Sequence, residues 1–195
     1  MPVPVAMLMS MHRPELAAGL VLLGAAAAPS LGGRLPAWEQ DWFHVLNRLP
    51  DGLHRPVWAV MQFGALAAAP VTAAVALAMT GDRRLAARLA GGGVAVWAAA
   101  KVVKRAVARG RPAALVVGAR VRGREAAGLG FPSGHAGVAT VLAGVAMAAV
   151  PPRRRPALVG LAATVGVARV YVGAHLPLDV AGGVALGLIV DAVLR

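Results

Sequence analysis

Three polar clusters interrupt an otherwise hydrophobic sequence, and their residue types suit binding of a phosphate and nucleophilic attack on it. The first holds two cations, the second a serine, a glycine and a histidine, and the third an arginine, a histidine and an aspartate. They are Lys104 with Arg111 and Pro112; Pro132, Ser133, Gly134 and His135; and Arg169 with His175 and Asp179. Each lies at the end of an apolar stretch, so we expect the three to meet at one membrane face.

The first cluster places two positive charges near the end of a predicted helix. Lys104 and Arg111 are seven residues apart, which is two helical turns, so on a continuous helix both project from one face. Gly110 and Pro112 predict the end of that helix. The alternative is that the cations here, Lys104 included, only extend towards lipid headgroups, a common use of cations at span ends.

The second cluster is typical of a helix start. Ser133 is a favourable N-cap residue, Gly134 allows close approach to the backbone, and His135 falls in the first turn. Free N–H groups and the positive dipole end make a helix N-terminus a ready phosphate site. The alternative is a plain cap with an interfacial histidine, although the glycine and the histidine exceed what a cap requires.

The third cluster combines a cation with a histidine and a carboxylate. Arg169 and His175 are six residues apart, so a continuous helix would place them on different faces, and Gly173 predicts a break between them. Asp179 follows His175 by four residues, and it can accept a hydrogen bond that fixes the tautomer and leaves the other ring nitrogen as nucleophile. The alternative is an Arg169–Asp179 ion pair that only fixes helix packing.

Six apolar stretches meet or approach the roughly 20 residues that a bilayer-spanning helix needs. They are residues 15–33, 57–79, 89–107, 133–150, 157–172 and 177–194. With 58% hydrophobic and 14% charged residues, the chain is too apolar for an ordinary soluble domain. The sequence predicts one all-α, integral-membrane domain over residues 1–195, a six-helix bundle. The first stretch also fits a secretory signal peptide, but we favour a retained span.

The segment between the first two stretches has an amphipathic pattern that predicts a short helix in the membrane interface. Two tryptophans suit headgroup depth. The alternative is a loop with ordinary aromatic packing. The apolar residues at helical spacing are Trp38, Trp42, Val45, Leu46 and Leu49, and the polar residues of the other face are Glu39, Gln40, Asp41, Asn47 and Arg48.

The charge balance limits the possible partners. A formal net charge of +12 indicates contact with anionic headgroups or an anionic substrate. We expect no nucleic-acid partner, because no soluble domain carries this charge and no RNA- or DNA-binding motif is visible. The absence of cysteine excludes disulfides and thiolate catalysis.

Basic links on both predicted faces complicate the orientation. If the arginines of the longest link, residues 108–132, bind substrate, then the turn with Arg153, Arg154 and Arg155 marks the cytoplasmic side. The sequence then predicts a multi-pass protein of the inner (plasma) membrane. Both termini would be cytoplasmic and the polar clusters extracytoplasmic.

Taken in series, the clusters resemble the three signature motifs of the type-2 phosphatidic acid phosphatase superfamily. Order and internal spacing agree, and the resemblance covers the chain from about Trp38 to its end. It implies a six-span bundle and cofactor-free, metal-independent dephosphorylation through a phosphohistidine. The matching residues are Lys104, then Arg111 and Pro112 after six residues; Pro132, Ser133, Gly134 and His135; and Arg169, His175 after five residues and Asp179 after three more.

The resemblance also implies a role for each residue. His175 would attack phosphorus, Asp179 would orient it, and His135 would protonate the departing oxygen. A phosphoryl transition state needs positioned positive charge and donors. Ala168 stands where the family often has serine, so one hydroxyl donor is missing. The phosphoryl oxygens would be held by Lys104, Arg111, Arg169, Ser133 and the Gly134 amide.

The leading functional prediction is hydrolysis of a phosphate or diphosphate carried by a membrane lipid, with undecaprenyl diphosphate or a related prenyl phosphate favoured. Phosphatidic acid, phosphatidylglycerol phosphate and a decaprenyl-phosphosugar phosphate are the alternatives. A prediction of another class is a non-catalytic membrane protein that binds anionic lipid or transports an anion. Vanadate-type haloperoxidase chemistry uses a similar constellation, but the predicted spans and the small size disfavour it.

Overall fold

The computed structural model describes residues 13–195, apart from the Arg13 side chain, and all regular structure in this part of the chain is helical. The predicted all-α class is confirmed. Short 3-10 helices occur at Ala28–Gly33, Asp51–Leu53, Gln62–Gly64 and Pro152–Arg154. The α-helices are α1 (Arg13–Ala27), α2 (Ala37–Asn47), α3 (His54–Met61), α4 (Ala68–Thr80), α5 (Arg83–Val107), α6 (Pro112–Leu115), α7 (Gly134–Ala146), α8 (Arg155–Tyr171) and α9 (Pro177–Leu194).

Three helical segments in the described residues are long and apolar enough to cross a bilayer, against six predicted spans. They are Pro14–Gly33, Arg83–Leu115 and Pro177–Leu194. The predicted span at 57–79 is not one straight helix, because α3 and α4 meet at a bend of 71°. The chain is extended at Ala65, next to Gly64, where an added Cβ would lie 2.5 Å from the carbonyl oxygen of His135. The bent pair counts as a fourth span if it crosses as one unit.

Some of the other observed helix ends agree with the predicted bounds, and others differ from them. α9 has the predicted bounds, whereas α7 is shorter than the predicted 133–150. α5 begins well before the predicted residue 89, because Asp82 caps it by accepting hydrogen bonds from the amides of Arg84 (2.8 Å) and Leu85 (3.0 Å). α5 ends at Val107, the predicted end of the stretch 89–107 and so before Gly110 and Pro112, with Ala108 in the left-handed region at φ 52°.

Helix α9 lies at the centre of the bundle and packs against α1, α5, α7 and α8. Glycines on α9 bring α7 close, since an added Cβ at Gly187 would lie 2.6 Å from the Cβ of Thr140. A core cluster joins α5 and α7 through fully buried Val96, Val138 and Val145. The three polar clusters therefore lie at one end of this bundle, at the end of α5, the start of α7 and the α8–α9 connection.

The predicted amphipathic helix is present as α2, but two residues of its predicted polar face, Glu39 and Asn47, are buried. Trp38 and Trp42 are 52% and 60% exposed, as a helix in a membrane interface requires. Glu39, Phe43 and Asn47 recur every four residues and are buried against the rest of the protein. The sequence analysis placed Glu39 and Asn47 on a polar face, and the structure uses them as internal anchors.

Candidate active site

His175 and Asp179 meet at the entry to α9. His175 is 3% exposed and Asp179 is fully buried, and His175 Nδ1 lies 3.4 Å from Asp179 Oδ2. This separation is long for a hydrogen bond, and Nδ1 has no partner that meets hydrogen-bond geometry. Asp179 Oδ2 accepts a hydrogen bond from the amide of Leu176 at 2.9 Å, so the first turn of α9 holds the carboxylate. Nε2 is the ring nitrogen farther from Asp179.

The predicted chain break before His175 is confirmed. Helix α8 ends at Tyr171, and Gly173 has φ +75°, a conformation that a residue with a Cβ adopts at a cost. The turn makes the carbonyl of Arg169 accept hydrogen bonds from the amides of Ala174 (3.1 Å) and His175 (3.2 Å). The turn therefore links the backbones of Arg169 and His175, two predicted site residues, directly.

The surroundings of His175 keep its imidazole neutral. Burial lowers the pKa of His175 to about 4, and the nearby positive charges of Arg169 and Lys104 act in the same direction. The Asp179 carboxylate acts in the opposite direction. At neutral pH the ring nitrogen lone pair is therefore available for attack on an electrophile.

The second cluster lies beside the third. The amide of Ser133 donates to the carbonyl of Asp179 at 2.8 Å, and the Ser133 hydroxyl caps α7 by accepting from the amide of Ala136 at 3.4 Å. An added Cβ at Gly134 would face open space, so the first turn of α7 is accessible there. His135 interacts electrostatically with Arg169 and His175.

The three predicted cations reach this region by different routes. Lys104 Nζ donates to the carbonyls of Leu129 (2.9 Å) and Gly130 (2.8 Å), so it holds the loop that leads into the second cluster. Arg111 Nη1 donates to the carbonyl of Ala174 at 2.8 Å. The predicted same-face placement of Lys104 and Arg111 on one helix is wrong, because α5 ends between them. They are brought together by the turn that follows.

Arg169 is 8% exposed and keeps a buried donor without a partner. Its Nη1 contacts the sulfur of Met61 at 2.8 Å, while its Nε has no hydrogen-bond partner. Arg169 and Arg111 line one cavity of about 220 Å³, whose wall also includes His54 and Trp58 of α3. His54 Nε2 is likewise buried and unpartnered. These donors suit an anionic group in the cavity.

Two functional neighbours escaped the sequence analysis, which paired Asp179 with His175 or Arg169. The cation nearest Asp179 is Arg109, whose Nη1 lies 3.1 Å from Asp179 Oδ1. Arg109 also pairs with Glu39 of α2, and both side chains are fully buried. Two features of the sequence could have indicated these residues. Arg109 is a second arginine close to Arg111, and Glu39 shares one face of α2 with Phe43 and Asn47 at positions i, i+4 and i+8.

The orientation hypothesis assumed that the arginines of the long link, residues 108–132, bind substrate. In the structure some of them contact other parts of the protein instead. Arg122 is used structurally: its guanidinium donates to the carbonyls of Asn47, Leu49 and Tyr171 and pairs with Asp51 at 2.8 Å. Arg109 is enclosed by carboxylates. Arg111 lines the cavity, where Arg122 and Arg124 also contribute to the wall.

Comparisons with known proteins identify a family and a fold. A family model described as the PAP2 superfamily matches residues 83–195. The structure is similar to that of a transmembrane PAP2-type phosphatidylglycerolphosphate phosphatase from Bacillus subtilis, with a TM-score of 0.76, 19% identity and coverage of 92% of this chain and 94% of the other. It is also similar to Aquifex aeolicus LpxE, with a TM-score of 0.67, 19% identity and coverage of 84% and 98%. A search of curated proteins gave no match.

Proposed function

This chain belongs to the PAP2 superfamily and is a phosphatase, and we propose that it hydrolyses the phosphate ester of a membrane lipid through a phosphohistidine on His175. The resemblance and the enzyme class predicted from the polar clusters are confirmed, and the non-catalytic alternative is set aside. The observation that carries the mechanism is the convergence of all three clusters at the start of α9. There His175 Nδ1 lies 3.4 Å from Asp179 Oδ2.

In the first step, His175 Nε2 attacks phosphorus. A P–N bond forms while the bond from phosphorus to the departing oxygen breaks, and His135 gives a proton to that oxygen. The departing oxygen is the ester oxygen of a lipid monophosphate or the bridging oxygen of a lipid diphosphate, which leaves as the lipid monophosphate. Asp179 faces Nδ1 and stabilises the positive charge that the ring acquires. The 3.4 Å contact supports this assignment of the two nitrogens.

In the second step, water attacks the phosphohistidine. His135 takes the proton of the water, the P–N bond breaks, and inorganic phosphate leaves as His175 recovers its lone pair. Throughout, the phosphoryl oxygens are held by the cations Lys104, Arg111 and Arg169, by the Ser133 hydroxyl and by the Gly134 amide at the start of α7. The unpartnered Nε of Arg169 supports this role.

We further propose that the chain is one membrane domain, 1–195, with six spans. The bent pair α3–α4 forms one of them, and α7 and α8 cross as shorter helices. Helix α2 lies in the interface, supported by its exposed Trp38 and Trp42. The site faces the extracytoplasmic side of the inner membrane and the termini are cytoplasmic, which places the triple-arginine turn inside.

For the substrate we propose a prenyl phosphate or diphosphate, with undecaprenyl diphosphate favoured. An extracytoplasmic site suits recycling of such a carrier, and the cavity beside Arg111 and Arg169 suits an anionic head group. Phosphatidylglycerol phosphate is the second candidate, since the Bacillus subtilis protein of similar fold is a phosphatase for that lipid. Phosphatidic acid and a decaprenyl-phosphosugar phosphate complete the set.

A phosphate-release panel in detergent tests the proposal. Purified protein is given each candidate lipid, and turnover by wild type is compared with His175→Ala and with a matched control, His44→Ala on α2. We expect release that depends on His175, fastest with the prenyl diphosphate. Release from no lipid would overturn the proposed function, and a preference for another lipid would overturn only the substrate assignment.

A further inference from the structure

A fully buried arginine bridges two carboxylates at the start of α9, and the mechanism above does not use it. Arg109 Nη1 donates to Glu39 Oε1 at 3.0 Å and to Asp179 Oδ1 at 3.1 Å. Arg109 Nη2 donates to Glu39 Oε2 and, at 3.0 Å, to the carbonyl of Arg34. One side chain thus ties α2 and the segment before it to the carboxylate beside His175.

Glu39 also contacts α9 directly. Its Oε1 accepts a hydrogen bond from the amide of Leu178 at 2.8 Å, next to Asp179 in sequence. A carboxylate from α2 therefore satisfies a free donor in the first turn of α9, where negative charge is favourable. The bridge and this cap together hold Asp179 from two sides.

The net charge of the bridge formed by Glu39, Arg109 and Asp179 affects the negative charge that faces His175. Glu39 and Asp179 carry two negative charges and Arg109 carries one positive charge, so the buried trio keeps one net negative charge. Without Glu39, the guanidinium would neutralise Asp179 at close range, where Coulomb interactions are strong. The negative charge that faces His175 would then be largely cancelled.

We propose that Arg109 and Glu39 are positioning residues that orient Asp179 towards His175 and preserve its negative charge, and so set the rate of phosphoryl transfer. The inference rests on the proposed role of His175. Both side chains are fully buried and are occupied by each other and by Asp179, so neither is expected to contact the substrate. The other charged or titratable groups near His175 are Arg169 of α8, Lys104 of α5, His135 of α7 and Arg111, and the tests leave them unchanged.

The first test is Glu39→Gln, which keeps the side-chain size and removes one charge. We expect kcat to fall about 10- to 100-fold, by analogy with the loss seen when the outer partner of a metal-bound histidine is changed, with KM within about twofold of wild type. In Glu39→Gln/Arg109→Gln the guanidinium that would neutralise Asp179 is also gone, so kcat should exceed that of the single variant. A double variant no faster than Glu39→Gln would overturn the charge balance.

Arg109→Lys supplies a second test if Glu39→Gln does not fold. It keeps the charge but loses the planar fork that reaches both carboxylates, so kcat should fall about tenfold or more while KM is kept. An unchanged kcat would overturn the orienting role.

Asp191→Asn is the matched control on the same helix. Asp191 is a buried carboxylate that pairs with Arg195 at 2.7 Å at the far end of α9, so its loss should lower the thermal unfolding midpoint without changing kcat. A kcat loss in Asp191→Asn as large as that in Glu39→Gln would assign the effect to helix packing and overturn the inference. His175→Ala in the same assay separates the two proposals: if it retains the wild-type kcat, the proposed function fails, and if only Glu39→Gln retains the wild-type kcat, only this inference fails.

Discussion

The backbone amide of Ser133 donates a hydrogen bond to the backbone carbonyl of Asp179 at 2.8 Å. This contact joins the start of α7 to the first turn of α9, so two helix N-termini converge on one place. His135 lies two residues after Ser133, and His175 lies four residues before Asp179. The contact therefore fixes the relative positions of the proposed acid, His135, and the proposed nucleophile, His175. The positive dipole ends of both helices add positive potential there.

Replacing His175 with alanine should abolish turnover. The variant lacks the ring nitrogen that forms the P–N bond, and a lost nucleophile costs about 10³-fold or more. Phosphate release from the best lipid substrate measures the effect, with His44→Ala as the control that removes a histidine of α2 lying against Phe43. A His175→Ala rate within about tenfold of wild type would refute the nucleophile assignment.

Replacing His135 with alanine should slow the reaction according to the leaving group. A general acid contributes about 10²- to 10⁴-fold when the departing oxygen needs a proton, as the alkoxide of a lipid monophosphate does, so the comparison uses such a lipid. Nitrophenyl phosphate leaves as a stable anion, so the loss should be much smaller. The ratio of the two losses is the measurement. Equal losses for the two substrates would show that His135 binds phosphate rather than donating a proton.

Local spacing predicted the third cluster well because its residues are neighbours in sequence. The four-residue step from His175 to Asp179 and the glycine between Arg169 and His175 both describe geometry within one or two turns, and both are observed. Helix α9 has the predicted bounds for the same reason, since Pro177 suits a first helical position.

Contacts between distant segments could not be predicted in this way. Glu39 and Arg109 are 70 residues apart, and the spacing of Glu39 with Phe43 hints that the acid is buried but does not identify its partner. The bend between α3 and α4 lies where Gly64 packs closely against the backbone of His135, which is also a contact between distant segments. A run of apolar residues indicates that a segment is hydrophobic, but it does not show that the segment forms one continuous helix.

Chelation should leave the phosphatase active. Lys104, Arg111 and Arg169 already supply three positive charges for the phosphoryl oxygens, the role that Mg²⁺ fills in other phosphoryl-transfer sites. Phosphate release is measured in excess EDTA and again after adding magnesium. We expect the same rate in both conditions. Loss of activity in EDTA that magnesium restores would contradict metal-independent chemistry.

The acid limb of the pH profile should lie well below that of an ordinary histidine. Burial lowers the pKa of His175 to about 4, and the neutral ring is the reactive form, so activity is retained as pH falls until it approaches that value. We expect kcat/KM for nitrophenyl phosphate, corrected for the second phosphate ionisation near pH 6, to stay level from about pH 8 to about pH 5. This substrate reduces the contribution of His135. A corrected limb near the usual histidine value of about 6.5 would contradict the prediction.

Replacing Gly173 with alanine should destabilise the turn that joins Arg169 to His175. Gly173 has φ +75°, and an added Cβ would collide with the carbonyl oxygen of Arg120. A side chain in this conformation costs about 1–3 kcal/mol, before any shift of Arg120. Gly160→Ala on α8 is the matched control, because a Cβ there meets nothing within 4 Å and alanine favours a helix interior. Thermal unfolding in detergent should show a lower midpoint for Gly173→Ala only, together with lower kcat since the turn places His175. Equal midpoints for the two variants would mean that the strain at Gly173 is relieved by movement of the Arg120 segment.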